Sequence, residues 1–282
     1  MAPKVAFQGE RGAYSEMATL QYFPDVKLLP LKSFQDVFDA AETGKVEYIV
    51  VPLENSIEGS INEIYDLLLQ TKMNVVGEIY QRVRHCLIAN RGTKMIRYVH
   101  SHPQALAQCR AYLQNKGLRP VPTYDTAGAA KMIKENKMAD SAAIASKRAA
   151  ELYDMEILDE GIEDRKNNYT RFFVLSPKKK KKKSGKSDPH DIGGHNHKTS
   201  IIFSVRHVPG ALFGILGEFA IRKINLTKIE SRPTKETPWE YNFYVDFEGH
   251  LQNKAVHEAL LSIKPKTSYI KILGSYKKAE FH

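Results

Sequence analysis

Residues 46–61 read VEYIVVPLENSIEGSI, and this stretch decides the fold class. Its first part, residues 46–51, is a β-branched and aromatic run that is typical of a covered strand. Three polar residues, 54–56, follow that strand directly. Ser60 and Glu63 then have the spacing of a capping box, which predicts that a helix begins there. A strand that ends in polar groups and leads into a helix is the unit from which α/β proteins are built.

The same order of elements repeats along residues 5–176. Strand-like apolar runs alternate with helical stretches, and a Ser or Asp that can cap the helix precedes each of those stretches. The predicted caps are Ser15, Ser33, Ser60, Ser101 and Asp125. This alternation predicts an α/β fold with largely parallel sheets. The long apolar stretch near residues 74–90 predicts a crossing of the chain between two lobes.

A lysine-rich segment separates this part of the chain from the rest. The chain has 282 residues and a net charge of +10, and residues 178–186, KKKKKKSGK, carry seven of those charges. The segment 177–197 has too few apolar residues to fold alone, so we predict a disordered linker between two domains, 1–176 and 198–282. A nuclear-localisation signal or nucleic-acid tether is the alternative interpretation of the lysine run. Because the positive charge is concentrated in the run, we expect no nucleic-acid partner.

The residues after the linker follow a different pattern. Strand-like runs at 199–206, 225–231, 240–247 and 268–274 are combined with helical stretches at 210–223 and 253–263. The resulting order is βαββαβ, which predicts a small ferredoxin-like domain.

Composition limits the class of protein further. No apolar run approaches the roughly 20 residues that a membrane-spanning helix needs, so we expect no membrane partner. The first residues, MAPKVAFQGE, show no signal-peptide or transit-peptide character. With only Cys86 and Cys109, the chain has no disulfide framework, and a cytoplasmic location is expected.

Three stretches place polar groups where a strand ends and a helix begins. They are FQGERGAYS at 7–15, VPLENSIEGSI at 51–61 and VHSHPQALAQC at 99–109. Ligands of open α/β sheets bind at such strand ends, and helix N-termini attract anions, so these stretches predict a cleft for an anionic small molecule. Gln104 and Gln108 lie four residues apart and share one helix face. On spacing alone, solvated surface glutamines are the other interpretation of that pair.

A fourth stretch, NNYTRFFVLS at 167–176, is a polar loop that leads into an apolar strand, with Thr170 and Arg171 at the strand's start. A threonine there is usually only a β-former. The sequence contains no phosphate loop, no dinucleotide fingerprint and no cluster with metal-ligand spacing, so we expect no metal and no cofactor.

Taken together, the motifs resemble those of the prephenate dehydratases. GERGAYS, VPLENSIEG, SHPQALAQC, DTAGAA, AAIAS and NNYTRF occur in the order that is typical of that family and span nearly all of residues 5–176. The stretch VPGALFGILGEFAIRKINLTKIESRP, at 208–233, resembles phenylalanine-binding ACT domains. One departure is the first motif, where Glu10 and Arg11 follow the glycine and Pro is common in the family.

The resemblance implies a fold, a reaction and a set of site residues. The family converts prephenate to phenylpyruvate, water and carbon dioxide without a cofactor, in a cleft of a two-lobed domain similar to periplasmic binding proteins. The catalytic residues that the motifs imply are Thr170, Glu54, Asn55 and Gln108. The substrate-binding residues that they imply are Ser15, Ser101 and Arg171.

The ACT resemblance implies regulation by L-phenylalanine and a homodimer or homotetramer. The effector-binding residues would be Gly210, Ala211 and Leu212 at a helix start, with Glu230, Ser231, Arg232 and Pro233 on a strand. Two alternatives stay open: an arogenate dehydratase, whose substrate differs only in its side chain, and a non-catalytic amino acid sensor. The absence of a transit peptide mildly favours prephenate, and the TRF sequence at Thr170 argues against a sensor.

Overall fold

The computed structural model of the chain describes residues 2–177, 196–234 and 239–281. Most of the predicted linker, and the lysine run with it, therefore lies outside the described residues. Contacts divide the chain into two units. The first comprises Met1–Leu67, Ile79–Phe173 and Phe281–His282, and the second comprises Leu68–Glu78 and Val174–Glu280.

A sheet built around the N-terminal strand forms the first lobe. Its strand order is β2-β1-β3-β11-β5, and the short strand β4 pairs with β3. The bounds are β1 Lys4–Gln8, β2 Lys27–Leu31, β3 Tyr48–Asn55, β4 Gly59–Ser60, β5 Asn74–Arg82 and β11 Tyr169–Ser176. Strand β1 is parallel to both β2 and β3, as the alternation of elements predicts. The buried run in β3 ends at Leu53, so the polar residues 54–56 that follow it lie at the carboxyl edge of this sheet.

A second sheet, with the order β10-β6-β9-β7-β8, forms the other lobe. Its strands are β6 Cys86–Ala89, β7 Tyr98–Ser101, β8 Arg119–Pro122, β9 Ser141–Ala145 and β10 Glu156–Glu160. Strand β7 is parallel to β8 and β9, whereas β6 is antiparallel to β9 and β10. The predicted α/β class is confirmed, with mixed rather than wholly parallel sheets.

The chain crosses between these two sheets twice. The apolar stretch near 74–90 is two strands, β5 and β6, which belong to different sheets and are separated by residues 83–85. The return crossing runs from β10 to β11. The amide N–H of Val83 donates to the carbonyl of Asn168 at 2.8 Å, so the two crossing segments are hydrogen-bonded to each other.

Seven helices join the strands of this part of the described chain. They are α1 Tyr14–Tyr22, α2 Phe34–Glu42, α3 Asn62–Gln70, α4 Pro103–Gln108, α5 Arg110–Asn115, α6 Thr126–Glu135 and α7 Lys147–Leu152. Two predicted caps are confirmed: Ser33 forms a capping box with Asp36, and Asp125 accepts from the amide of Gly128. Two are wrong, because Ala13 is the N-cap of α1 and His102 that of α4. No helix in the described part of the chain is long and apolar enough to cross a membrane.

The second unit contains the predicted βαββαβ order. Its four-stranded sheet has the order β13-β14-β12-β15, which leaves β13 and β15 at the edges. The elements are β12 His197–Ser204, α8 Ala211–Ala220, β13 Leu226–Pro233, β14 Tyr241–Glu248, α9 Lys254–Ile263 and β15 Tyr269–Lys277. Its core is apolar and includes Phe203, Phe219 and Phe247.

The preceding segment Leu68–Glu78 also belongs to this unit. Lys198 of β12 forms a buried ion pair with Glu78 at 2.9 Å. Lys271 of β15 donates to the carbonyls of Leu68 and Leu69 at 2.8 Å. These contacts attach residues outside the predicted ACT range to its sheet.

Candidate active site

A cleft of about 490 Å³ lies within the first unit. Residues from the carboxyl ends of β1 and β3, from the crossing segments and from the starts of four helices, α1, α2, α4 and α6, line it. The polar residues among them are Gln8, Tyr14, Ser15, Asn55, Glu58, Ser60, His85, His102, Gln104, Gln108, Tyr124, Asp125, Thr126 and Thr170. All three strand-end stretches singled out in the sequence contribute to this one cleft, as does the Thr170 motif.

Asn55 and Thr170 meet at the edge of the first sheet. The Oδ1 atom of Asn55 accepts from the backbone N–H groups of Ile57 and Glu58, at 3.0 and 3.1 Å. The orientation of this amide is therefore fixed, and its Nδ2 donates to Thr170 Oγ1 at 3.1 Å. No acceptor for the Thr170 hydroxyl proton is found among the residues that the structure describes. Thr170 is thus held as an acceptor and has its own proton available in the cleft.

The same amide fixes a second polar side chain. Asn55 Nδ2 also donates to Asn168 Oδ1 at 2.7 Å, so the Nδ2 group of Asn168 faces the opposite way. It donates to Gln108 Oε1 at 2.9 Å. The Nε2 group of Gln108 in turn contacts Glu58 Oε1 at 3.3 Å. Three side-chain amides from different elements therefore have defined hydrogen-bond directions.

His85 lies at the end of this chain of hydrogen bonds, in the first crossing segment. Its Nε2 is 3.0 Å from Gln108 Oε1 and its Nδ1 is 3.2 Å from the Tyr14 hydroxyl. Burial lowers the pKa of His85, and the hydrogen bond to Gln108 and the charge of Glu163 oppose that shift. Burial also raises the pKa of the Tyr14 hydroxyl well above its usual value. Burial therefore favours the neutral form of both groups.

The electrostatics of the cleft come from helix ends more than from charged side chains. The first residues of α1 and α6 line it, and helix N-termini carry partial positive charge. Among the described residues that line the cleft, none is Lys or Arg. Glu58 and Asp125 are the carboxylates of that lining. An anion bound here is held by backbone dipoles and hydroxyl or amide donors rather than by a strong ion pair.

Three of the catalytic-domain residues implied by the motifs do not line the cleft, and two of them, Glu54 and Arg171, form an ion pair. Glu54 and Arg171 are the chain neighbours of Asn55 and Thr170, and successive side chains of a strand point to opposite faces. Arg171 is buried, with its Nη1 at 3.2 Å from Glu54 Oε1. Its guanidinium also lies over the ring of Phe173, 4.9 Å from the centroid. The structure therefore places this ion pair behind the strands that carry Asn55 and Thr170.

Of the two serines implied by the motifs, one lies in the cleft. Ser15 is largely buried and lines it, in the first turn of α1. Ser101 is fully buried, and its hydroxyl donates to the carbonyl of Ile144 at 2.6 Å. It is the last residue of β7 rather than the cap of α4, so its contact joins two strands of the second sheet. Gln104 and Gln108, which could have been surface residues, both line the cleft.

The loop before α1 has a packing role. Gly12 has a φ of +89°, and a Cβ there would lie 2.9 Å from Ala149 Cα. The buried carboxylate of Glu16 accepts from the Gly12 amide at 3.0 Å and pairs with Arg11 at 2.7 Å. Ser146 donates to the Gly12 carbonyl at 2.6 Å. The GERGAYS stretch therefore fixes the start of α1 against α7.

The residues implied as effector-binding lie on two elements of the second unit. Gly210, with a φ of +79°, is the N-cap of α8, and Ala211 and Leu212 begin the helix. Glu230, Ser231, Arg232 and Pro233 form the end of the edge strand β13. Ser231 and Pro233 are exposed, whereas Glu230 and Arg232 are half-buried.

Sequence analysis does not single out Tyr14 and His85, which line the cleft, or Asn168, which joins Asn55 to Gln108. Tyr14 and Asn168 lie inside quoted motifs, and their neighbours Ser15 and Thr170 were chosen instead. His85 lies in the stretch YQRVRHC, where nothing local marks it. Its contacts are to residues 71 and 23 positions away, which periodicity cannot detect.

Comparison with known proteins assigns the class. The model of the prephenate dehydratase family matches residues 5–180, and the ACT domain model matches residues 199–264. The chain belongs to the prephenate dehydratase family and carries an ACT domain after the catalytic part.

Individual relatives cover nearly the whole chain. One named arogenate dehydratase/prephenate dehydratase 2, from Arabidopsis thaliana, is 43% identical over 97% of this chain and 72% of its own length. A prephenate dehydratase from Arthrobacter aurescens, solved in complex with L-Phe, is 27% identical with a TM-score of 0.87, covering 98% of this chain and 90% of that one. A structure described as GqqA, a novel type of quorum quenching acylase, is 35% identical with a TM-score of 0.88, covering 99% of each chain.

Proposed function

We propose that this protein is a prephenate dehydratase, which converts prephenate to phenylpyruvate, water and carbon dioxide. The observation that carries the proposal is the direction of the hydrogen bond at Thr170, whose oxygen accepts from Asn55 and whose proton faces the cleft unpaired. A hydroxyl is a weak acid, so it must be aimed at the leaving group and donate as the C–O bond breaks.

The balance of the reaction fits this role. The C–O bond to the ring hydroxyl breaks as Thr170 supplies a proton, and water leaves. The C–C bond to the ring carboxylate breaks, carbon dioxide leaves, and the electron pair of that bond completes the aromatic ring. Thr170 regains its proton from solvent, so each turnover consumes one proton.

The weak charge of the cleft supports loss of the carboxylate. A carboxylate paired firmly with Lys or Arg is stabilised before the reaction, which raises the barrier to its loss. The described lining of this cleft has no such cation. Helix N-termini and amide donors can orient the substrate without fixing its ring carboxylate in an ion pair.

Arogenate is the second candidate substrate, because the Arabidopsis relative is named for both activities. Arogenate carries an ammonium group where prephenate has a ketone. Glu58, which contacts Gln108 in the cleft, is a carboxylate that could receive that ammonium. The charge of residue 58 should therefore matter for arogenate and hardly matter for prephenate.

Turnover of the purified full-length chain with each substrate tests the proposal. We expect kcat/KM to be at least about tenfold higher for prephenate than for arogenate, a difference of about 1.4 kcal/mol in transition-state binding. Glu58→Gln should change prephenate kcat/KM by less than about threefold and lower any arogenate activity. The reverse preference would assign arogenate, and binding of either without turnover would assign a sensor.

The acylase neighbour raises amide hydrolysis as another reaction, and the geometry does not favour it. An acyl-transfer nucleophile needs a base that removes its proton. Asn55 Nδ2 is a donor to Thr170 Oγ1, and His85 contacts Gln108 and Tyr14. Hydrolysis of an acyl amide by the wild type, lost in Thr170→Val, would overturn this reasoning.

We also propose that L-phenylalanine inhibits the enzyme by binding to the ACT domain. Three observations support this: the ACT match, the L-Phe complex of the Arthrobacter protein, and the surface of the second unit. The Ala211 N–H donates to the carbonyl of Val208, so the N–H groups that follow it in the first turn of α8, at Leu212 and Phe213, are the ones that can receive a carboxylate. The edge strand β13, with Ile229 47% exposed, and Phe213, 80% exposed, offer an uncovered surface beside the motif residues.

That surface is where we place a second copy of the chain. An edge strand with exposed apolar side chains tends to pair with a strand of another chain. Pairing of two copies through β13 would close the effector site. Binding at an interface links inhibition to the oligomer, so a dimer or a dimer of dimers is expected.

The test is inhibition of the double variant Gly210→Val with Ser231→Ala. Inhibition by L-phenylalanine should be lost, while uninhibited kcat stays within about threefold of wild type, because neither residue lines the cleft. Leu261→Ala, at an exposed position of α9 outside the motifs, is the matched control and should remain inhibited. Simple competition between L-phenylalanine and prephenate would exclude the allosteric site.

A further inference from the structure

His85 is a buried titratable residue of the cleft for which the proposed chemistry has no use. The residue is 2% exposed, and its ring contacts Gln108 on one side and Tyr14 on the other. The backbone N–H of His85 donates to the carboxylate of Glu163 at 2.9 Å, which fixes the crossing segment on which the ring is carried.

The protonation of His85 Nε2 follows from the directions of the side-chain amides to which the ring is hydrogen-bonded. Two backbone N–H groups fix the Asn55 amide, Asn55 fixes Asn168, and Asn168 Nδ2 donates to Gln108 Oε1. That oxygen can only accept, so the His85 Nε2 atom beside it must carry a proton. The direction of one chain of hydrogen bonds thus determines the tautomer of a ring at its far end.

The Nδ1 side of the ring is different. The Tyr14 hydroxyl has one proton and two acceptors within reach, His85 Nδ1 at 3.2 Å and the carbonyl of Arg84 at 2.7 Å. With a neutral ring, one of these acceptors lacks a donor. With a proton on Nδ1, the ring donates to Tyr14 and Tyr14 donates to Arg84, so both are satisfied. The site can accept a second proton without any movement of heavy atoms.

We propose that His85 is a positioning residue that holds the Gln108 carbonyl with its Nε2 proton, and that its Nδ1 takes up a solvent proton when a dianionic substrate occupies the cleft. The identity of the dianion rests on the proposed function, whereas the tautomer of the ring does not. Both ring nitrogens contact Gln108 and Tyr14, so the added charge balances the bound dianion without forming an ion pair with its ring carboxylate.

The charged and titratable groups around the ring agree with this assignment. Tyr14 of α1, Glu163 before β11 and, through Gln108, Glu58 face the ring. Cys86 and Cys109 are further neighbours of Tyr14, and both thiols are neutral because burial raises their pKa. Burial keeps the pKa of His85 low in the empty cleft, while the charge of Glu163 already favours the protonated ring.

The sign of the pH effect follows. An anion in the cleft raises the pKa of the ring from its lowered value, so substrate binding takes up a proton between the two pKa values. KM should fall as pH falls through that interval, by at most about tenfold per pH unit for one proton, and become constant below it. The effect lies in binding, so kcat should follow a different profile.

The first test is histidine ring nitrogen NMR of the ¹⁵N-labelled full-length protein, with His85→Gln used to assign the signal. In the empty protein, we expect a neutral ring with its proton on Nε2. In the Thr170→Val protein saturated with prephenate, the same ring should carry both protons. A proton on Nδ1 of the empty neutral ring, or an unchanged ring in the complex, would overturn the proposal.

The second test separates positioning from a merely structural role. In His85→Gln, the amide nitrogen occupies the place of Nε2, and in His85→Asn the shorter amide can replace only Nδ1. His85→Gln should keep kcat within about threefold of wild type, but its KM should no longer fall at low pH. His85→Asn should raise KM about tenfold over wild type at every pH. Equal defects in both variants, or a wild-type pH profile in His85→Gln, would contradict the assignment.

The proposed function and this inference can fail separately. If the wild type turns over neither prephenate nor arogenate, the proposed function fails, whereas the tautomer of His85 in the ligand-free protein can still be measured.

Discussion

Strands β3 and β11 present two different polar pairs on their two faces. Toward the cleft, backbone N–H groups set the direction of the Asn55 amide, which in turn donates to Thr170. On the opposite face, Arg171 is paired with Glu54 and covers the ring of Phe173. The pairs are neighbours in sequence, and the motifs VPLENSIEG and TRF contain one member of each. A motif therefore identifies a segment, and the alternation of the strand assigns its residues to chemistry or to support.

The largest effect is expected for the cleft face, at Thr170. Thr170→Val removes the proton donor and keeps a side chain of similar shape in a strand, so kcat should fall at least about 100-fold while folding is kept. Steady-state kinetics with prephenate and a thermal melt measure both. A variant that retains more than about a tenth of wild-type kcat would remove Thr170 from the proton transfer.

Reversing the hydrogen bond at Asn55 should have the next largest effect. In Asn55→Asp, both side-chain oxygens are acceptors, so Thr170 donates to the new carboxylate and its proton no longer faces the cleft. We expect kcat to fall about 10- to 100-fold, because general-acid catalysis is weakened and not abolished outright.

The control for that variant is Asn55→Ser, which removes the donor amide but adds no charge. It should lose less activity than Asn55→Asp. Equal activity of Asn55→Asp and wild type would show that the direction of this hydrogen bond is irrelevant.

Much of the fold could be predicted because its signals are local. The covered apolar run of β3 and the caps at Ser33 and Asp125 each involve residues within four positions, and all three are found. The crossing near residues 74–90 was also visible, since an apolar run of that length exceeds a single strand. What failed locally was the choice between adjacent residues, as at Ser101 and His102, where either could cap α4.

The candidate site was less predictable, because it is assembled from distant parts of the chain. Asn55 reaches Asn168 and Thr170 across more than 100 residues, and His85 reaches Tyr14 across 71. Contacts at such separations leave no periodic pattern in a single sequence. Alternation could have separated Thr170 from Arg171 once one of them was placed, but nothing in the sequence pointed to the buried ring of His85.

A smaller effect is expected at Gln108, which joins the cleft face to the second lobe. Gln108→Ala removes the acceptor of Asn168 and His85. It should raise KM about tenfold while kcat changes less. The reason is that one hydrogen bond to a charged substrate contributes about 1.5–3 kcal/mol to binding. Gln104→Ala, on the same helix face but without those two contacts, is the matched control. A defect confined to kcat would move Gln108 from binding to chemistry.

The smallest effect on activity is expected on the other face, at Glu54. Glu54→Gln keeps the shape and one acceptor oxygen for Arg171 but removes the negative charge opposite a guanidinium that is 3% exposed. Because the Glu54 carboxylate is itself partly exposed and solvent screens it, the loss should be about 1 kcal/mol of stability, which lowers Tm by about 2–4 °C in a domain of this size. The value of kcat should stay within about threefold of wild type, since the side chain does not line the cleft. Thermal melts and kinetics of Glu54→Gln beside Asn55→Asp compare the two faces directly. If Glu54→Gln instead lowered kcat about 100-fold with an unchanged Tm, the Glu54 carboxylate would take part in catalysis. The assignment of one strand face to catalysis and the other to support would then be wrong.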